Sequence, residues 1–229
     1  MQIKNKFIAF ILTVLLLFSV NLNADEYNIT ASEVVIDKNK EILIGKGSVK
    51  ATDSLGRIIT ADKIIYEKSK EFLTAEGKVV INDIDGNILN TNKATIDKIN
   101  GIIVTYDNSE LILKEGYRIV TKKIIYNTKK KILSSANNSI LTDNDGNIIE
   151  TNNFQYLVQN NLFSSIGKIK IIDAKKNKYF FKELYVDTLK KEMIGSDASV
   201  VLDQKNFGVS EESDPRFVAN DIFISESKS

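Results

Sequence analysis

From residue 29 onward the chain repeats itself every 30 residues, and that period limits what it can fold into. A slide of 30 brings Ala31 onto Ala61, Lys38 onto Lys68, Leu43 onto Leu73, Gly47 onto Gly77, Val49 onto Val79 and Gly56 onto Gly86. A slide of 60 brings Ile64-Ile65-Tyr66 onto Ile124-Ile125-Tyr126, and Asp83-Ile84-Asp85-Gly86-Asn87 onto Asp143-Asn144-Asp145-Gly146-Asn147. At 90 residues, Gly77-Lys78-Val79-Val80-Ile81 meets Gly167-Lys168-Ile169-Lys170-Ile171. Repeats of this length belong to stacked architectures, in which each unit completes its neighbour's core.

Each unit reads as two strands and two turns. Ile42–Thr52 and Phe72–Asp83 are rich in β-branched residues and alternate in character. One set of turns carries Asp-Gly chemistry, at residues 53–56, 85–87 and 145–147, which supplies positive φ and Asx hydrogen bonds. The other set is rich in Lys and Asn, at residues 38–40, 68–70, 98–101, 129–131 and 160–161. No amphipathic helix of useful length interrupts residues 25–229. The predicted fold is all-β: an open antiparallel jelly roll built from a stacked repeat of about 30 residues. A single proline, Pro215, stands in the whole sequence.

Alternation assigns an inward face to Leu43, Val49, Ala51, Leu73, Val79, Ile81, Leu133, Leu141, Ile169 and Ile171. Gly45, Gly47, Ala75, Gly77 and Ser135 fall on the same face. Two readings of these small residues stay open. They mark bulges or close sheet contacts, or they keep an apolar interior from filling and leave a groove for a long hydrophobic ligand. A stack that does not close ends in two unpaired strands. These are expected at Ile29–Ile36, with Val35 within it, and at Phe217–Ile224, with Ile222 within it.

Residues 1–24 read as a signal peptide: Lys4 and Lys6, an apolar run from Phe7 to Val20, and Leu22 and Ala24 before a cut at Asp25. A run of fourteen residues, polar only at Thr13 and Ser19, is short for a membrane span of about 20. An exported domain over 25–229 follows, and export without cysteine fits a bacterial periplasm.

The chain has no Cys, no His and no Trp, which removes thiol nucleophiles, disulfides, Cys/His metal sites and imidazole bases. A formal net charge of +1 gives no bulk electrostatic case for nucleic acid. Asp-x-Asp-Gly-Asn at 83–87 and 143–147 resembles the start of a calcium loop. The sixth position, however, holds Ile88 or Ile148 instead of Gly, and the twelfth holds Ala94 or Phe154 instead of Glu. Both segments read better as hairpin turns, and Lys129-Lys130-Lys131 reads better as a solvated turn than as a phosphate patch. No catalytic residue, metal site or cofactor is expected.

Gly47-Ser48-Val49-Lys50-Ala51, then Ile59-Thr60-Ala61-Asp62-Lys63-Ile64-Ile65-Tyr66, then Leu73 to Gly77-Lys78-Val79, resemble the OstA-like family of lipopolysaccharide-transport proteins. The family comprises periplasmic carriers and the N-terminal domains of outer-membrane translocons. The resemblance runs over about residues 29–172 and more loosely over 179–224, and it departs at 104–118, where the Gly-Lys-Val element is missing. It implies a jelly roll that shields the acyl chains of lipid A and joins related jelly rolls, or copies of itself, end to end. Two arrangements stay open: a free-standing periplasmic carrier, or the N-terminal part of a longer, outer-membrane-associated chain, toward which Asp214-Pro215-Arg216 and the strand-like Val218–Ser225 lean. A surface-exposed structural or adhesive β-repeat protein with a filled core is the competing class. A polysaccharide-acting β-solenoid is a third, and it would need carboxylates clustered on one sheet face.

Overall fold

The computed structural model describes residues 27–203 and 215–225; the predicted signal peptide, residues 1–24, lies outside them. Among the described residues there is no α-helix, only single 3-10 turns at Lys68–Lys70 and Val158–Asn160. The strands are β1 (Asn28–Thr30), β2 (Glu33–Asp37), β3 (Ile42–Thr52), β4 (Ile58–Glu67), β5 (Phe72–Asn82) and β6 (Ile88–Asp97). They continue as β7 (Ile102–Tyr106), β8 (Ser109–Ile112), β9 (Arg118–Thr121), β10 (Ile125–Asn127), β11 (Ile132–Ser135) and β12 (Ser139–Thr142). The last six are β13 (Ile148–Thr151), β14 (Phe154–Leu157), β15 (Leu162–Ile172), β16 (Lys178–Asp187), β17 (Glu192–Val201) and β18 (Arg216–Ser225).

The chain runs as an antiparallel meander in which each pass pairs with the one before and the one after. Some passes are single long strands; others, such as β7 with β8 or β9 with β10, are broken at their middle. The 15-residue strand-to-strand spacing keeps every pass in register. Among the described residues Asn28–Asp37 pairs only with β3 and β18 only with β17, so their sheet has two edges and does not close. The fold is an all-β, open antiparallel jelly roll.

Each pass bends at its centre. In β3 the register shifts between Lys46 and Val49, and in β5 between Glu76 and Val79, so that one extra residue bulges out against the neighbour. Gly77 shows why glycine stands there: its φ is +75°, and a Cβ would lie 2.5 Å from a carboxylate oxygen of Asp62. Gly47 (exposed) and Gly77 (half-buried) therefore sit at the bend, not on the inward face expected for them. In the copy at 104–118 that lacks Gly-Lys-Val, Asp107 takes the left-handed conformation (φ 64°) and the register against β6 still shifts by one residue between Tyr106 and Glu110, so the bulge is kept without the glycine. Asp tolerates that region better than most residues do.

The two turn sets form ladders along the two ends of the stack. Asp83 Oδ1 accepts from Asp85 N and Asn87 N (3.0 and 2.8 Å), and its Oδ2 accepts from Asn87 Nδ2 at 2.7 Å. Asp143 repeats this with Asp145 and Asn147, and Asp173 with Asn177. The Asn then links onward: Asn87 Oδ1 accepts from Lys114 N, Asn147 Oδ1 from Ala174 N and Asn177 Oδ1 from Asp203 N. Asp-Gly-Asn is thus a turn that also joins one repeat to the next. In the first copy Arg57 replaces Asn and pairs with buried Asp53 at 2.7 Å. At the opposite end the backbone does the joining, with Lys68 N donating to Glu41 O, Lys98 N to Glu71 O, Thr128 N to Gly101 O and Thr188 N to Asn161 O. Lys129 and Lys130 donate backbone N–H groups to Asn127 Oδ1, as a capped turn does.

Tyr179 packs against the Asp173 turn, its hydroxyl donating to Asp173 Oδ2 at 3.0 Å. Burial, and then the Asp173 carboxylate, push its pKa up from 10 to about 12. Burial likewise raises Tyr117 and Tyr126. A phenol whose folded pKa exceeds its unfolded value stabilises the fold fully below pH 10, and that contribution disappears as pH climbs toward 12. Denaturation midpoints should therefore fall across that alkaline window. Tyr179→Phe should make the fall shallower; an unchanged slope would remove Tyr179 as a cause.

Candidate binding interior

Bending every pass at its centre turns one face of the sheet inward on itself. Passes such as β3 and β5 present inward residues at x, x+2, x+6 and x+8, for example Leu73, Ala75, Val79 and Ile81. Passes such as β4 and β6 present x, x+2, x+5 and x+7, for example Ile59, Ala61, Ile64 and Tyr66. The bulge on one strand absorbs the difference. Cross-strand register then stacks these positions into four rows along the whole molecule.

The two outer rows are apolar. One contains Leu43, Tyr66, Leu73, Ile96, Ile103, Leu133 and Phe163; the other contains Ala51, Ile59, Ile81, Leu89, Leu111, Ile119 and Ile171. The two rows beside the bend change character along the stack. At its ends they hold Val49, Ile64, Val79, Phe181, Leu184 and Ala198, each at most 4% exposed. In the middle they hold buried hydroxyls within hydrogen-bond distance of one another: Ser109 Oγ of Thr105 Oγ1 (2.7 Å) and Thr91 Oγ1 (3.1 Å), and Ser139 Oγ of Thr121 Oγ1 (3.0 Å). Thr105 Oγ1 also accepts from Ile124 N. Hydroxyls paired in this way can be buried without the cost of an unsatisfied group.

Of the residues assigned inward by alternation, Val49, Ala51, Leu73, Val79, Ile81, Leu133, Ile169 and Ile171 are buried, all 7% exposed or less. Leu43 and Leu141 are half-buried. Alternation missed the inward residues of the intervening passes, among them Ile59, Ile64, Ile96, Ile124, Phe154 and Leu184. The i, i+2, i+5, i+7 spacing was the signal that could have found them. Gly195 belongs to this interior as well: a Cβ there would lie 2.3 Å from the Phe181 ring, so the missing side chain makes room for the aromatic one.

Aromatic side chains lie where the folded-over rims approach. Tyr27 and Tyr66 meet edge to face at 5.1 Å, and the Lys98 ammonium sits 5.0 Å from the Tyr27 ring centroid. Tyr126, on β10, lies near enough to turns at the opposite end of the strands to feel the charges of Asp83 and Arg57. At both ends of the stack the inward row emerges into solvent. Val34 and Ile36 of β2 are 45% and 61% exposed, and Phe217 of β18 is 47% exposed.

The edges themselves follow from the pairing. Ser32 N donates to Gly47 O at 3.0 Å, and pairs alternate between bonded and non-bonded along an antiparallel ladder. Val34 and Ile36 thus bond toward β3, while Glu33, Val35 and Asp37 direct their backbone groups to the open side. Leu202 N donates to Pro215 O, so Phe217 bonds toward β17 and Val218 and Ile222 direct theirs outward. Among the four residues assigned to assembly, Val35 and Ile222 have backbone groups facing the open edges. Phe217 is engaged with β17, and Ile29 is half-buried beside Ala51.

The outer face carries ion pairs that cross the strands: Lys63 and Lys93 flank Glu76 (3.3 and 2.9 Å), Arg118 pairs with Glu110, and Lys170 with Glu150 (3.2 Å). Among the described residues no group of carboxylates is arranged to hold a metal ion, and no helix is long and apolar enough to cross a membrane.

No family model matches the chain, and no curated protein matches it. Among solved structures it is similar to LptH, the LptA-homologous periplasmic component of the conserved lipopolysaccharide transport device of Pseudomonas aeruginosa. That match has a TM-score of 0.43 at 17% identity and covers 48% of this chain and 80% of LptH. It is also similar to the TCP10 domain of Danio rerio CPAP in complex with a STIL peptide. There the TM-score is 0.15 at 13% identity, covering 66% of this chain and 96% of that domain.

Proposed function

We propose that this chain is a periplasmic carrier of lipopolysaccharide that holds lipid A acyl chains in its bent-over interior and passes them to adjoining jelly rolls. The observation that carries the proposal is the inward apolar register, which runs from the first pass to the last and emerges uncovered at both ends, at Val34, Ile36 and Phe217. The OstA-like succession of motifs over residues 29–172 supports the same reading. Each exposed acyl CH₂ costs roughly 0.8 kcal/mol in water, and a continuous apolar path removes that cost without a tight site at any one point. Driving force comes from elsewhere, since the sequence has no Gly-x-x-x-x-Gly-Lys-Ser/Thr loop. The role is transport and not catalysis.

Among the described residues no strand pairing joins the two rims, which meet through side chains such as Tyr27 and Tyr66, so acyl chains would enter by spreading them and substituting their own contacts. A close-packed interior is also what a structural or adhesive repeat protein would have, and exposures of 0–8% along the core favour that second reading. Ligand-induced stabilisation separates the two, because a ligand that binds the folded state raises its melting temperature. Lipid A should raise the melting temperature of the chain, and the same phosphorylated glucosamine headgroup without acyl chains should not. A melting temperature indifferent to lipid A would favour the filled-core reading.

A further inference from the structure

The outer face, opposite the interior, holds a feature that acyl-chain binding does not use. On the outer side of the sheet, beside the bend, seven consecutive passes place Lys78, Asn92, Asn108, Lys122, Asn138, Asn152 and Lys168 side by side. The pairs Val79–Thr91, Ser109–Thr121, Ser139–Thr121, Ser139–Thr151 and Thr151–Ile169, one residue away, fix this alignment. All seven are exposed, and the row contains no acid. A lysine recurs at every third strand, about 14 Å apart at the usual strand spacing. Among the described residues none of these three lysines forms an ion pair, whereas Lys63, Lys93 and Lys170 on the same outer face all do.

Next to this row runs a second one, Val80, Asn90, Glu110, Val120, Ile140, Glu150, Lys170 and Phe180, each paired to the next. Ile140 and Phe180 are 48% and 38% exposed. Glu110 and Glu150 are neutralised by Arg118 and Lys170. These two rows, with Thr121, Ser139, Thr151, Ile169 and Phe181 of the row between them, line a groove of about 640 Å³, which shares Asn108 and Val120 with a second of about 360 Å³ that reaches Lys78.

We propose that this groove binds a linear acidic glycan lying across the strands. Exposed amides both donate to and accept from sugar hydroxyls. Val120, Ile140 and Phe180 offer a floor for the C–H faces of the rings, and the evenly spaced lysines meet carboxylates or phosphates borne along the chain. An extended peptide fits less well: these strands are paired on both sides, so no backbone edge is free to take a strand.

The test uses oligogalacturonate as the acidic probe, with maltooligosaccharide of equal length and polyglutamate as comparisons, titrated by calorimetry at fixed salt. Oligogalacturonate should bind saturably and maltooligosaccharide much more weakly. Lys122→Gln with Lys168→Gln should weaken binding at least about tenfold. Phe180→Ala should weaken it severalfold with an unchanged far-ultraviolet circular dichroism spectrum, and Lys50→Gln, outside the groove, should change nothing. The proposal is overturned if oligogalacturonate does not bind, if binding survives the double substitution, or if polyglutamate binds as well and ignores Phe180→Ala. None of these outcomes involves the interior, so they are independent of the lipid A measurement.

Discussion

Val79→Asp should cost about 2 kcal/mol or more of folding stability and abolish stabilisation by lipid A, because it places a charge among apolar side chains with no partner. Val79 is 1% exposed and sits beside the bend of β5, across from Thr91. Ile81→Asp, one position further along the same face, should behave alike at 4% exposure. Lys50→Glu, on the outer face of β3, should change neither quantity by much, since exposed substitutions away from special features stay within about 0.5 kcal/mol. Denaturant titrations and melting curves with lipid A read both effects. The same lipid response from Val79→Asp and Lys50→Glu would mean that the inward face has no special relation to lipid.

Val35→Pro should abolish end-to-end pairing while leaving the distant repeats folded. Val35 directs its backbone groups away from β3, so proline there removes a donor from the open edge and none from the β2–β3 ladder. The edge is not otherwise blunted along β2: Val34, Val35 and Ile36 are exposed, and Glu33 is paired with Lys46 at 3.5 Å. The complementary edge, β18, begins after Pro215, where a missing N–H does little harm, and exposes Phe217, Val218 and Phe223. Such edges template strand addition. Sedimentation across a concentration series should show self-association, or association with another jelly-roll domain, lost in Val35→Pro. A parent chain that stays monomeric and pairs with no jelly roll would remove the bridge from the proposal.

The strands and their stacking were readable because the 30-residue period fixes both: Ile42–Thr52 is predicted and found with the same bounds, and Phe72–Asp83 differs by one residue at its end. The inward face was readable only on those passes, since strict alternation holds separately on each side of the bend. On β4 the phase slips between Ala61 and Ile64, and a period of two cannot register a slip set by a bulge in the neighbouring strand. The same bulge moved Gly47 and Gly77 off the interior. Thr91, Thr105, Ser109 and Thr121 look like surface residues in sequence, yet they are buried because they bond to one another across strands. The row Lys78-Asn92-Asn108-Lys122-Asn138-Asn152-Lys168 escapes sequence inspection altogether, because its members are about 15 residues apart and meet only when every pass is in register.

The most direct test of the central claim is a crosslinking map with lipopolysaccharide. A photoreactive residue in place of Val79, Ile169 or Leu184 points inward from three separate passes, and one in place of Lys50 or Lys63 points outward from two others. Lipopolysaccharide adducts at all three inward positions, Leu184 included although alternation alone overlooks it, and at neither outward one are the predicted result. Adducts at Lys50 and Lys63 equal to those at Val79, Ile169 and Leu184, or adducts at none of the inward positions, would contradict an acyl-chain path through the interior.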